Sequence, residues 1–337
     1  MSRQDTITLG HGSGGTLTHE LLDRYIFGPL SNPHLDRQHD GAVLDLRGPL
    51  AFTTDSFVVQ PLFFPGGDIG SLAVHGTVND IAMCGAYPKY LSLSLILEEG
   101  LLLTDLERIL QSIQKACLEA GVQIVTGDTK VVEKGSGDGI FINTTGIGTM
   151  HPKAHIGVER IKEGDAILVS GTLANHGITI MSQREGLSFA SPIESDSRAV
   201  HEPVLALLDE LGDAVKLLRD PTRGGVGTVL NEIAQQSKLG VQLDAESIPV
   251  APTVNGACEM LGLDPLLVAN EGLFIGVIDQ SVKEKAIDLL KRFPASAAVT
   301  FIGQMVASHP GQVVSHNAMG GKRVVPMLPG EQLPRIC

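Results

Sequence analysis

The sequence predicts an α+β protein of two domains followed by a flexible C-terminal arm. Three observations carry this. A chain of 337 residues suits two domains of ordinary size, each with its own core. Strand-type runs alternate with helical periodicities along most of its length. The hydrophobic pattern breaks near TMHPKAHIGVER (149–160) and restarts in EGDAILVSGTL. The expected units are an N-terminal domain at 1–152, a C-terminal domain at 153–322, and an arm at 323–337.

Local patterns justify the elements in turn. VLDL and LAFTTD, at 43–46 and 50–55, read as strands parted by Gly48-Pro49. Residues 69–84 read as a helix leading to Gly85, and YLSLSLIL (90–97) alternates as a half-buried strand does. From Leu106, the spacing of Ile109, Leu110, Ile113, Cys117 and Ala120 marks an amphipathic helix ending before Gly121. VQIVT and IFINTTGIG are further strands. Helices are expected from about Gly225 to Ser237 and near Pro252–Leu261, with a strand at LFIGVI (273–278). The final stretch VVPMLPGEQLPRIC holds three prolines and a glycine, which favours an extended, mobile segment. Its last ten residues would span roughly 30 Å, enough to cross an active-site mouth.

Composition removes several function classes. Aromatic residues are 4% of the chain, with no Trp, so stacking platforms for single-stranded nucleic acid are not expected. A net charge of −13 disfavours DNA, RNA and anionic membranes as partners. It leaves nucleotides open, because carboxylates can hold one through Mg2+. The start, MSRQDTITLG, has no apolar signal core, and no later run is long enough to span a bilayer. Cys84, Cys117, Cys258 and Cys337 have neither disulfide-framework nor zinc-motif spacing, so a reducing cytoplasm is the expected location. Cys337 lacks the three following residues of a prenylation signal.

Among motifs, GHGSGG (10–15) formally satisfies G-x-G-x-x-G, but only TITL precedes it, too little for a dinucleotide-binding strand. It is either a flexible arm or a glycine-rich loop that closes over phosphates. Asp40, Asp55, Asp80 and Asp128 each sit in small, apolar or glycine-rich surroundings. Singly, each reads as a cap or turn residue; four in one half point to a shared Mg2+–phosphate site. Lys130 is either an ordinary surface lysine or a cation that meets a phosphate or moves a proton. RDPTRGGVGTVLNEIA (219–234) places Asp220, Arg223 and a glycine pair at a helix start, which suits an anion or a plain turn. Asn270 and Glu271 precede a buried strand, where turn chemistry alone would also account for them.

Together HGSGG, HDGAV, TTDSFVVQPLFFPGGDIG, GTVNDIAMCGA, ILEEG, TGDTKVV, RDPTRGG, ANEG and terminal PRIC cover essentially the whole chain. With them the sequence resembles the ATP-dependent superfamily of aminoimidazole ribonucleotide synthetase, selenophosphate synthetase and thiamine monophosphate kinase. Within it, PRIC marks similarity to the HypE family of nickel–iron hydrogenase maturation factors. The resemblance implies a two-domain PurM-like fold, with N-terminal halves pairing strands across the two-fold axis of a homodimer and a C-terminal α/β sandwich. It implies ATP near that interface and Mg2+ on Asp40, Asp55, Asp80 and Asp128. Phosphate contacts would come from Gly12, Ser13, Gly14, Gly15, Asp55, Asn79, Asp80 and Arg223, with Lys130 and Glu271 in proton transfer. LANHG departs from the family pattern, where an acidic residue is expected at Asn175, so Asn175 and His176 receive no role.

The resemblance further implies that Cys337 is a reactant. A HypF-type carbamoyltransferase would load it, ATP would drive dehydration of the thiocarboxamide to a thiocyanate, and a HypC–HypD complex would receive the product. Two other functions fit the motifs: a small-molecule kinase or synthetase of the same fold, and a non-catalytic thiol carrier.

Overall fold

The computed structural model describes residues 6–187, 189, 191–327 and 335–337. Its first half contains α1 (Thr16–Leu21), α2 (Gly28–Leu30), β1 (Leu50–Phe57), β2 (Phe63–Phe64), β3 (Gly67–Asp68), α3 (Ile69–Met83), β4 (Ala86–Glu98), α4 (Leu103–Ala120), β5 (Gln123–Val132) and β6 (Ile140–Met150). After these come β7 (Ala166–Val169), α5 (Asn175–Arg184), α6 (His201–Leu211), β8 (Val215–Arg219), α7 (Gly225–Ser237) and β9 (Gly240–Asp244). The described remainder is α8 (Pro252–Leu261), β10 (Ile275–Ile278), α9 (Lys283–Leu290), β11 (Thr300–Val306), β12 (Val313–His316) and β13 (Lys322–Val325).

The first sheet has the order β1-β6-β4-β5. β4 and β5 run parallel, which requires a crossover, and α4 supplies it. Leu91, Leu93, Leu95 and Leu97 of β4 point to the helical side and are buried; Ile96 faces the other way and is exposed. α3 lies so close to β6 that glycine is required there. A Cβ on Gly148 would stand 2.4 Å from the Ile81 side chain. α4 buries Leu106, Ile109, Leu110, Ile113, Ala116, Cys117 and Ala120, and Gly121 ends it in the left-handed region at φ 65°.

The second sheet has the order β13-β12-β9-β11-β7-β10-β8. β9 and β12 pair in parallel, and the other neighbours are antiparallel. β7 and β10 are buried at every position, as strands covered on both faces must be. One face packs with α5, α7 and α8, the other with α6 and α9. Ala82 and Met83 at the end of α3 join this second core, so α3 spans both halves.

Two expectations are corrected. Residues 43–46 form no strand, and Val43 is 82% exposed: the alternating pattern has no neighbour to pair with. The expected arm from 323 begins inside β13, which pairs with β12 and buries Val325 completely. Residues 328–334 of that arm lie outside the described residues.

Candidate active site

A cleft of about 430 Å3 opens between the two sheets' helices, lined by β1, α3, the start of α7, the segment before β10, and residues 335–337. Asp55 comes from β1. Two residues earlier, the Thr53 hydroxyl donates to Asp80 Oδ2 at 2.6 Å, locking strand to helix. Gly76 lies one turn before Asp80, where a Cβ would press on the Phe57 ring at 2.9 Å. Asp220 follows β8 directly, and Arg223 precedes the Gly224-Gly225 pair that starts α7. Both glycines have positive φ, and a Cβ on Gly225 would meet the Val268 carbonyl at 2.5 Å. The Gly225 N–H donates to Thr222 O at 3.0 Å; α7 has no side-chain cap, which leaves the Val226 and Gly227 N–H groups for a ligand.

These carboxylates crowd one another. Burial, reinforced by Asp80, raises Asp55 to about 6, while Arg223 opposes the shift. Burial and then Asp80 raise Asp220 to about 7. Glu271 is held well above the ordinary carboxylate range by burial, then by Asp196, Asp220 and Asp55. Its backbone N–H donates to Asp196, and the Gly272 N–H does so at 3.0 Å. Glu271 Oε1 is buried and has no hydrogen-bond partner. Asn270 fixes the approach: its Oδ1 accepts from Ala174 N at 2.7 Å and its Nδ2 donates to Pro221 O at 3.0 Å.

The C-terminus occupies this cleft. The Cys337 thiol meets the Glu271 carboxyl, and burial followed by the Glu271 charge pushes the thiol pKa up; Arg223 acts against it. Val58 N donates to Cys337 O at 3.1 Å and Gln60 N to Arg335 O at 3.4 Å, so the last residues run antiparallel to 58–60. His176 Nε2 bonds Ile336 O at 2.7 Å. Arg184, at the other end of α5, donates to Arg335 O and to Gln60 O. The Arg335 side chain pairs with Asp138, and Ile336 is 3% exposed. The end expected to be a free arm is thus docked.

Of the sequence-predicted residues, Asp55, Asp80, Arg223, Glu271 and Cys337 share the cleft. Gly12, Gly14, Asp128 and Lys130 line a second cleft of about 280 Å3, where Lys130 and Asp128 form an exposed ion pair at 2.7 Å. Ser13 and Gly15 are exposed in the same glycine-rich loop. Asp40 is exposed and lines neither cleft. The four aspartates expected around Mg2+ therefore do not converge within one chain. Asn79 is also corrected: its amide is consumed by backbone, donating to Arg198 O at 3.0 Å and accepting from Val200 N at 2.8 Å. It cannot reach for phosphate without leaving both unsatisfied. Sequence reasoning missed Asp196, left the role of His176 open and gave Asp220 no part in the metal set.

Residues 38–150 match the AIR synthase related protein N-terminal domain, and residues 162–316 match the corresponding C-terminal domain. The fold is that of this PurM-like class. The chain belongs to the HypE family within it. It is 49% identical to the carbamoyl dehydratase HypE of Azotobacter vinelandii over 336 residues, 99% of this chain and 98% of the relative. A crystal structure of the hydrogenase maturation protein HypE in complex with ATP superposes with a TM-score of 0.95 at 49% identity, covering 98% of this chain and 100% of that one. A crystal structure of a HypE–HypF complex matches with a TM-score of 0.81 at 43% identity, covering 93% of this chain and all of that one.

Proposed function

We propose that this chain is an ATP-dependent carbamoyl dehydratase acting on its own C-terminus, converting a carbamoyl group on Cys337 into a thiocyanate for the cyanide ligands of nickel–iron hydrogenase. The observation that carries the proposal is Cys337 docked against Glu271 in a cleft with three crowded aspartates and an uncapped helix start. The relatives' carbamoyl dehydratase name and the ATP complex support it.

Amide oxygen is a poor leaving group, so it must be activated. The carboxamide oxygen attacks the γ-phosphorus of ATP, ADP leaves, and one N–H proton is lost. The O-phosphorylated carbon then expels phosphate as the second N–H proton is removed, leaving S–C≡N. The first proton passes to solvent, and Glu271 in its ionised form takes the second as phosphate departs: its unpartnered Oε1 and high proton affinity suit it. Arg223 and the α7 N-terminus face the phosphates.

The donor set fits Mg2+. Among the described residues no ready-made group of three ligands closes on a point. Mg2+ needs none, because it commonly takes one or two carboxylates plus substrate phosphates. Asp55, Asp80 and Asp220 would hold it, and their mutual repulsion marks a place for positive charge. When bound, it would neutralise charge developing on the transferred group.

The open face of the first sheet exposes Leu50, Phe52 and Ile96, which supports pairing with a second copy in a homodimer. Lys130, Asp128 and the Gly12–Gly15 loop would then serve the cleft of the other protomer, and Asp40 likewise. The HypE–HypF complex supports a carbamoyltransferase as loading partner; a HypC–HypD complex would accept the product. Four free thiols suit a reducing cytoplasm, and no helix among the described residues is long and apolar enough to cross a membrane.

Intact-mass analysis after incubation with the carbamoyltransferase, carbamoyl phosphate and ATP tests the scheme. The C-terminal peptide should gain a carbamoyl group and then lose water only when ATP is present. Cys337→Ala should fold and bind ATP but form no thiocyanate. Water loss without ATP, or thiocyanate made by the alanine variant, would refute the scheme.

A further inference from the structure

His176 is completely buried, yet both ring nitrogens are engaged. Nε2 faces the Ile336 carbonyl at 2.7 Å, and a carbonyl only accepts, so Nε2 carries the proton. Nδ1 lies 2.8 Å from Ser195 Oγ. Burial keeps the ring neutral, so the Ser195 hydroxyl donates to Nδ1. Ser195 Oγ in turn accepts from Ser197 N at 3.1 Å, which orients the hydroxyl. The Phe64 ring stands edge-on to the imidazole at 5.6 Å. Ser195 is itself anchored, its N–H donating to Pro65 O at 2.9 Å. Gly66 lets that contact form, because a Cβ there would lie 2.8 Å from Ser195 O. One tautomer and one ring orientation are thus imposed by groups far from the tail in sequence.

The geometry of the tail shows what this accomplishes. The Ile336 carbonyl belongs to the peptide plane entering Cys337, and the Cys337 carboxylate on the other side of Cα is held by Val58 N. With both flanks pinned, the Sγ position depends on χ1 alone, which has three staggered wells. We propose that His176 is a positioning residue of the dehydration: by clamping the Ile336 carbonyl it fixes the Cys337 sulfur, and any group carried there, against Glu271. This rests on the function proposed above and adds a residue that its chemistry does not itself require. Ser195 and Ser197 hold His176 in the tautomer that can donate.

The test uses the full-length protein with His176→Ala, His176→Gln and Ser195→Ala. Glutamine places an amide N–H near the position of Nε2 and keeps the donor. Two rates are read. The first is labelling of unloaded Cys337 by N-ethylmaleimide, followed on the C-terminal peptide so that exposed Cys84 does not interfere. The second is single-turnover dehydration of the loaded protein, with ATP affinity measured beside it. His176→Ala should label about tenfold faster and dehydrate about 10- to 100-fold more slowly, with ATP affinity within about twofold of the parent. His176→Gln should return both rates to within a fewfold of the parent, and Ser195→Ala should fall between. Parental labelling and dehydration rates in His176→Ala would overturn the clamp. So would a glutamine variant as impaired as the alanine variant at equal melting temperature. Should the alanine variant not fold, parental labelling in Ser195→Ala together with unimpaired dehydration overturns it. If the loaded parent protein shows no ATP-dependent dehydration, the proposed function fails, while the labelling arm still decides the clamp.

Discussion

Glu271→Gln separates the proton acceptor from the architecture around it. The side chain is 4% exposed and its Oε1 has no hydrogen-bond partner, so an amide of the same shape fits without opening a cavity. The carboxyl is pressed toward its neutral form by burial and by Asp196, Asp220 and Asp55. Exchange for a neutral isostere therefore removes no ion pair, and the melting temperature should not fall. Chemistry should suffer greatly, because a positioned proton acceptor typically contributes about 10²–10⁴-fold. At 1.36 kcal/mol per decade that is about 3–5 kcal/mol of barrier. Within one chain Lys130 lines the other cleft, and a Glu271→Gln/Lys130→Ala double variant tests whether the Lys130 of a partner protomer substitutes for it. The assay loads Cys337 first, then follows disappearance of the thiocarboxamide by mass after ATP is added. Loading and ATP affinity should stay within about twofold of the parent, since neither needs a base in the cleft. Dehydration within tenfold of the parent rate would show that Glu271 is not the acceptor.

Three further outcomes are expected. Asp80→Asn should keep an acceptor for the Thr53 hydroxyl, so it should melt near the parent, while Mg2+-dependent ATP turnover falls about tenfold or more; unchanged turnover would remove Asp80 from the metal set. Gly272→Ala would place a Cβ 1.6 Å from Asp196 O, so the latch holding Glu271 must open. The cost is at least about 1–3 kcal/mol, read as a melting temperature lower by several degrees together with lost dehydration; a normal melt would contradict the packing. His75 is lowered from 6.5 to about 4, chiefly by burial, with Arg198 and His201 adding to it. Its contribution to stability is present above pH 6.5 and lost as pH falls towards 4, at most about 3 kcal/mol because the residue is only partly buried. His75→Gln keeps a partner for Ser197 and does not titrate, so its stability relative to the parent should rise between pH 7 and pH 4; parallel pH profiles would exclude this.

Elements whose signal is local were legible in the sequence. The α4 stripe and Gly121 state both the helix and its end, because period and cap are properties of neighbouring residues. The stretch at 43–46 has a strand's alternation but not a strand's partner, and only pairing makes a strand. In the cleft, Asp55, Asp80, Arg223, Glu271 and Cys337 could be picked from their motifs because each sits in a short run with unusual composition. Asp40 and Asn79 have the same appearance, yet one is exposed and the other is bound to the backbone of residues 198–200. Nothing near Asp196 marks it, and LANHG draws attention to His176 without indicating what it does. Their work depends on Gly272 and Ile336, 76 and 160 residues away along the chain.

The docked terminus has a kinetic consequence. A ligand tethered to its own receptor is present at a local concentration of the order of millimolar whatever the dilution. A free metabolite seeking the same cleft must outcompete that tethered occupant. On the proposed function the protein would also not turn over like an ordinary catalyst: each round would occupy Cys337, the cysteine that lines the cleft, until another protein empties and recharges it. Flux through such a system scales with the number of copies made and the rate of their exchange, and saturating ATP cannot raise it further.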